Sequence, residues 1–404
     1  MNNLNSVRLF DRTTPPHILT LVLLAGLPAM NMSIFLPSLQ NMTDYFQTDY
    51  ALMQLSVSGY LAATAVLQVI VGPISDRFGR RPVILWSIVL FCLATLGCLL
   101  STSIEMFLAF RLLQCMIVAA MVLSRAVVRD MVNEREAASM IGYVTMGMAL
   151  VPMVGPMIGG ALDQLFDWRA TFVFLIIAGV GTWIWAYADL KETLNNSGVT
   201  FGEQVRTYPE LFTSRRFWGY VLCAAFVSGA FFAFLGGAPF VAAETFGLNP
   251  VWTGIALGAP AIGYAFGNFL SGRFSTRMGL NWMVLTGTLI TTTGMLVSLL
   301  LALSGISGAL IFFGFCTFVG VGNGMVMPNA TAGMLSVRPH LAGTASGIGG
   351  SILIGGGAAM AAFTGPLLEA GQGALPLQWI MFLTAAVSIM CIGYVIRREQ
   401  NVVR

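Results

Sequence analysis

The chain has 404 residues, of which 57% are hydrophobic and only 9% charged, with a mean hydropathy of +0.82. Soluble domains are roughly a quarter charged, so a water-soluble enzyme or binding module is excluded. A net charge of +3 needs no nucleic-acid partner to explain it. A membrane-crossing helix takes about 20 largely apolar residues. Runs of that length predict twelve spans: 17–39, 49–72, 82–101, 104–126, 137–162, 168–189, 217–243, 251–272, 281–304, 307–335, 342–368 and 375–396.

Span one follows a polar head of sixteen residues and is long enough to remain in the membrane as a span. It holds Asn31, Ser33 and Phe35 ahead of Leu36-Pro37. Spans two and three are joined by Gly72-Pro73-Ile74-Ser75-Asp76-Arg77-Phe78-Gly79-Arg80-Arg81-Pro82, an acid and three arginines in a chain that is otherwise poor in charge. Gly72 and Gly79 permit a tight turn, and Pro82 suits the first turn of a helix. Arg111 lies about seven residues into span four, roughly 10 Å from its outer end at 1.5 Å per residue. A charge at that depth faces an internal cavity with a partner, or else snorkels to the interface. Gln114 lies on a nearby face and could share its hydrogen bonding. Arg129 and Asp130 close the span, and with Glu134, Arg135 and Glu136 they form either part of a charge network or a solvated loop.

Span five places Gly147, Gly155 and Gly159 near one helical face, with Pro152 and Pro156 between them. Interior prolines kink a helix, and glycines let neighbours cross closely. Residues 190–216 are the longest polar stretch. Their second half suits either a short amphipathic helix on the inner leaflet or a flexible linker. The chain therefore divides into residues 1–189, a connector at 190–216, and residues 217–404. A shift of 200 residues lays Gly272-Arg273-Phe274-Ser275-Thr276-Arg277-Met278-Gly279 over Gly72 to Gly79, which points to duplication. The second copy lacks the acid and the double arginine. Cys92, Cys98, Cys115, Cys223, Cys316 and Cys391 all fall within predicted spans and read as packing residues; no metal site is indicated. Arginine bias places both termini in the cytoplasm. The fold class is an all-α polytopic membrane protein with twelve transmembrane helices in two pseudo-symmetric six-helix bundles.

The Gly72 to Arg81 stretch resembles the loop signature G-x-x-S-D-R-x-G-R-R of the major facilitator superfamily. Arg111-Leu112-Leu113-Gln114 resembles its R-x-x-Q element. Gly147, Pro152, Gly155, Pro156, Gly159 and Gly160 resemble its antiporter element. Leu36-Pro37 and Arg129-Asp130 are similar to the Bcr/CflA branch of bacterial drug-resistance exporters. The resemblance implies a monomeric inner-membrane transporter, with no enzymatic activity and no cofactor beyond a proton gradient, that exports small amphipathic compounds by alternating access and proton antiport. A facilitator, or a proton-coupled carrier of a small polar or anionic metabolite such as a siderophore, is the alternative.

By the same resemblance, Gly72, Asp76, Arg77, Gly79, Arg80, Arg81, Arg129 and Asp130 form a cytoplasmic gate, in which the acid braces helix ends across the two halves. Arg111 faces the central cavity near span one. The cavity walls come from spans one, four, seven and ten, with Asn31, Ser33, Phe35, Arg111, Gln114, Met121, Phe231, Phe232, Phe234, Asn323, Met327 and Asn329 as candidates. One departure stands out. The branch places an acid three residues before the Leu of Leu36-Pro37, where this chain has Ser33, and no acid lies in the middle of any predicted span. Neutral or anionic substrates become more plausible, and proton coupling must use an unusual position such as an outer-end carboxylate.

Overall fold

The computed structural model describes residues 9–11, 14–131, 151–194, 209–338, 342–368 and 373–403. Among these residues the chain is helical and has no strand. Ten helices are long and apolar enough to cross a membrane. Span five is described only over Val151–Leu165, and span eight is broken at Gly258 into Pro250–Leu257 and Ala259–Met278. Together these account for the twelve predicted segments. The helices present Trp86, Leu93, Ile177 and Met390 outward, each at least 60% exposed, as an apolar belt suited to lipid.

Local chemistry explains the interruptions. Span one runs Ile18–Ser33, tightens into a 3-10 turn at Leu36–Ser38 and continues as Leu39–Phe46. Pro37 has no N–H to offer the ladder, so the break falls there. Span four runs Ile104–Leu113, then a 3-10 turn at Gln114–Ile117, then Val118–Met131. Spans two and three, Tyr50–Phe78 and Arg80–Leu99, meet at Gly79 with φ at 93°. Spans eight and nine (Leu280–Leu303) meet at Gly279 with φ at 82°. In both turns the glycine N–H donates to a serine carbonyl four residues back, Ser75 or Ser275, at 2.9 Å. The repeated loop thus folds twice into the same turn, at a backbone conformation that favours glycine.

The two halves touch mainly through spans two and eleven (Ala342–Leu368) and spans five and eight. Closure is tight at the end opposite the Gly72–Pro82 loop. Tyr50 Oη donates to Gly236 O at 3.0 Å, and its ring packs on Phe240 at 4.8 Å. Gln54 Nε2 reaches Ala361 O and Thr364 Oγ1 on span eleven. Toward the loop end three glycines meet no neighbour. A Cβ added to Gly72, Gly272 or Gly347 would meet nothing within 4 Å.

Candidate functional site

Arg111 is 1% exposed, the largest fully buried side chain among the described residues. The snorkelling alternative is therefore excluded. Its guanidinium donates from Nε to Ser56 O at 3.1 Å, and from Nη1 to Asn31 Oδ1 at 2.8 Å and Gln114 Oε1 at 2.6 Å. Nη2 donates to Asn31 O at 3.0 Å, and Gln114 Nε2 donates on to Thr95 Oγ1 at 2.8 Å. The rings of Phe35 and Tyr60 lie 4.2 and 4.5 Å from the guanidinium carbon. One arginine thereby ties spans one, two, three and four together. Neutral oxygens and two aromatic faces compensate its charge. No carboxylate pairs with it among the described residues.

Asn31, Phe35, Arg111 and Gln114, all expected from the sequence, converge here. Ser56, Tyr60 and Thr95 were not expected, although Ser56, Tyr60 and Thr64 recur every fourth residue as a polar stripe along apolar span two. Asn31 Nδ2, Ser56 Oγ, Tyr60 Oη and Thr64 Oγ1 are buried without a well-formed hydrogen bond, although Asn31 and Thr64 lie within reach of the Tyr60 hydroxyl. Four such atoms in one neighbourhood equip it to hold a polar group. Ser33 turns elsewhere: its Oγ donates to Ala29 O, under span five at Gly155.

The loop at the open end is built within its own half. Arg80 pairs with Asp76 at 2.7 Å and with Asp130 at 3.1 Å, and also donates to Ser75 Oγ. Glu192, just beyond span six (Arg169–Asp189), accepts from the backbone N–H of Arg80 at 2.9 Å and of Arg81 at 3.2 Å. It caps a helix that begins without a side-chain cap of its own. Arg81 Nε donates to Leu190 O at 2.8 Å, while Arg77 lies over the ring of Phe78. Among the described residues, no hydrogen bond or ion pair carries this network across to the second half. The counterpart there is separate: Arg216, Tyr220 and Asn281 all reach Glu399. Arg129's side chain, Glu134, Arg135, Glu136 and Gly147 lie outside the described residues, as do residues 195–208 of the connector.

Residues 21–362 match the family model described as Major Facilitator Superfamily. The chain belongs to the major facilitator superfamily. It is 32% identical over 377 residues to an uncharacterised MFS-type transporter, YdgK, of Bacillus subtilis, covering 90% of this chain and 91% of that one. It is 26% identical over 393 residues to a bicyclomycin resistance protein homologue of Haemophilus influenzae, covering 96% and 98%, in keeping with the Bcr/CflA branch. A bacterial homologue of the human lysosomal transporter Spinster, solved in an inward-facing and occupied conformation, superposes with a TM-score of 0.72. That match covers 95% of this chain and 96% of the other at 18% identity, and shows the fold. The protein is a multi-pass membrane transporter and not an enzyme.

The glycine and proline stretch of span five that resembles the antiporter element joins three spans. A Cβ on Gly155 would lie 2.6 Å from Ser33 Oγ, and one on Gly159 would collide with the carbonyl of Ile34, both on span one. Gly160 meets Pro250 O, and Gly254 meets Pro156 O, so spans five and eight cross backbone to backbone. Pro152 begins this stretch, with its side chain outside the described residues.

In the second half, Asn323 Nδ2 donates to Val227 O at 3.2 Å, and its Oδ1 accepts from Ser228 at 3.0 Å. Ser228 also contacts Met327 Sδ. Phe231 and Met121 are half-buried. Phe232 lies against Gly357, Phe234 packs edge-on with Phe313, and Asn329 pairs with Ser271 of span eight. These last two serve packing inside their own half.

Proposed function

We propose that the protein is a secondary efflux transporter that exports small amphipathic compounds by alternating access between two six-helix bundles. Arginine bias supports placing the loop end and both termini on the cytoplasmic side. The geometry then corresponds to an inward-facing state, closed by Tyr50 and Gln54 and open around Gly72 and Gly272. The observation that carries the reading is the buried Arg111 cluster between span one and span four, in a chain related to a bicyclomycin resistance homologue. Release of Asp76 to Arg80 within one half fits a gate that reseals across the halves when the far end opens. The test is drug accumulation in cells lacking their own pumps. Expression of the protein is expected to lower the steady-state level of at least one compound in a panel of cations, neutrals and anions. Unchanged levels for all of them would reject export.

Proton coupling is part of the same proposal and runs through Asp163. This carboxylate lies one residue past the predicted apolar run 137–162, in the last turn of the span-five helix at the far end, and accepts from Asn41 Nδ2 at 2.6 Å. Burial pushes its pKa up from 3.8 to about 6; the Asn41 hydrogen bond opposes this and the nearby Asp167 adds to it. Asp163 is then ionised above about pH 6 and takes a proton as the outer solution falls below it. Because the folded state disfavours the ionised form, stability is lost as pH rises from about 4 to about 6. Asp163→Asn is expected to remove that loss, worth about 1 kcal/mol after allowance for nearby solvent, and to flatten the dependence of export on external pH between 5 and 7. A variant whose pH profile matches the wild type would exclude Asp163 as the proton site.

A further inference from the structure

Span four carries a second arginine that the Arg111 cluster does not use. Arg125 lies fourteen residues after Arg111, which brings it back to nearly the same helical face about 20 Å nearer the loop end. Its side chain is exposed, and it stands within electrostatic reach of Tyr264 on span eight of the other half. An exposed arginine of the first half within reach of a tyrosine of the second stands where the two halves adjoin. It makes no hydrogen bond or ion pair among the described residues. Half-buried Met121 lies one turn before it on the same helix.

The same side of span four therefore carries two positive charges in line: Arg125, exposed toward the loop end, and Arg111, buried at depth. Neither is neutralised by an acid among the described residues. The acids around the bundle are engaged elsewhere: Asp76 and Asp130 by Arg80, Asp163 by Asn41 at the far end, and Asp189 by the N–H groups of Phe10 and His17. Where a carboxylate could have paired with Arg111, Asn31 supplies a neutral amide oxygen. Such a wall repels cations and attracts anions. Around Arg111 the Asn31 amide and the Ser56, Tyr60 and Thr64 hydroxyls make no well-formed hydrogen bond beyond loose contacts with one another, so they can turn to donate to an incoming oxygen. The Phe35 and Tyr60 rings offer an apolar, aromatic surround.

Resting on the efflux reading above, we propose that the exported substrate is an organic anion, an aromatic carboxylate or its equivalent, captured at Arg125 and passed to Arg111. The membrane potential, negative inside, favours the outward movement of such a charge. The cavity then needs no acid of its own: the substrate supplies the negative charge that the acid of the branch would have provided. Arg125 sets the charge preference, and Arg111 holds the anion while the bundles rock.

The test uses everted membrane vesicles containing the full-length protein, where export appears as uptake. Labelled salicylate, its neutral isostere salicylamide and the cation tetraphenylphosphonium are the probes. Salicylate is expected to accumulate above control vesicles and in preference to the other two. Arg125→Gln is expected to raise the KM for salicylate about tenfold, the loss of one charge contact, and to raise that for salicylamide by less. Accumulation of salicylamide or tetraphenylphosphonium in preference to salicylate would overturn the anion assignment and leave the efflux reading standing. So would an Arg125→Gln variant with an unchanged KM for salicylate. Uptake of none of the three, with the protein present in the vesicles, would count against the efflux reading itself.

Discussion

Arg111→Ala is expected to abolish export and to destabilise the first six spans, even where the protein still reaches the membrane. Truncation leaves Asn31 Oδ1, Gln114 Oε1 and the Ser56 carbonyl buried without their donor. Each such loss costs about 1–3 kcal/mol, so a fall of about 3 kcal/mol or more is expected, together with the loss of two aromatic contacts. Arg111→Lys separates charge from geometry. An ammonium keeps the charge, yet it cannot reach three helices with the planar fork of a guanidinium. Export by the lysine variant is expected to fall at least about tenfold below wild type. Thermal denaturation in detergent and export per molecule of membrane protein check both statements. An alanine variant with wild-type export would remove Arg111 from the mechanism.

Gly159→Val is expected to give the second large effect. The carbonyl of Ile34 occupies the place of any side chain at Gly159, and this neighbour is backbone that cannot rotate away. Span five would have to leave span one, which carries Asn31 and Phe35 to the Arg111 cluster. Overpacking of this kind costs about 1–3 kcal/mol when side chains can yield, and more is expected against backbone. Folded yield and export should both collapse. Gly181→Val in span six, where an added Cβ meets nothing within 4 Å, is the control and should leave both near wild type. A Gly159→Val protein that folds and exports normally would show that spans one and five do not cross at this point.

Most of this architecture is legible in the sequence, for a physical reason. Bilayer thickness fixes span length, and charge must leave the hydrocarbon, so apolar runs and arginines locate the helices and the Gly72–Pro82 turn. The repeat at Gly272 was visible too, and both turns share one geometry. At the site, the sequence singled out Arg111, Asn31, Gln114 and Phe35, because buried polar groups in apolar helices are conspicuous. Tyr60 and Ser56 went unnoticed, since which face of span two meets span four depends on helix rotation. Glu192 was equally hidden: its capping of Arg80 and Arg81 joins residues 112 and 111 positions apart. Phe234 and Asn329 show the reverse. Both lie on spans expected to line the cavity, but their helical phase turns them toward Phe313 and Ser271.

The central claim is that two rigid halves rock about the cavity. It is tested most directly by the distance between spin labels at Phe78→Cys and Met278→Cys, in a variant whose six native cysteines are replaced. Both positions are exposed, and they end spans two and eight at the open end of opposite halves. In lipid nanodiscs the account predicts a long distance, matching the inward-facing state, and a second, shorter population that grows when a transported compound is added. One unchanging distance under all conditions, in a protein that still transports, would contradict it.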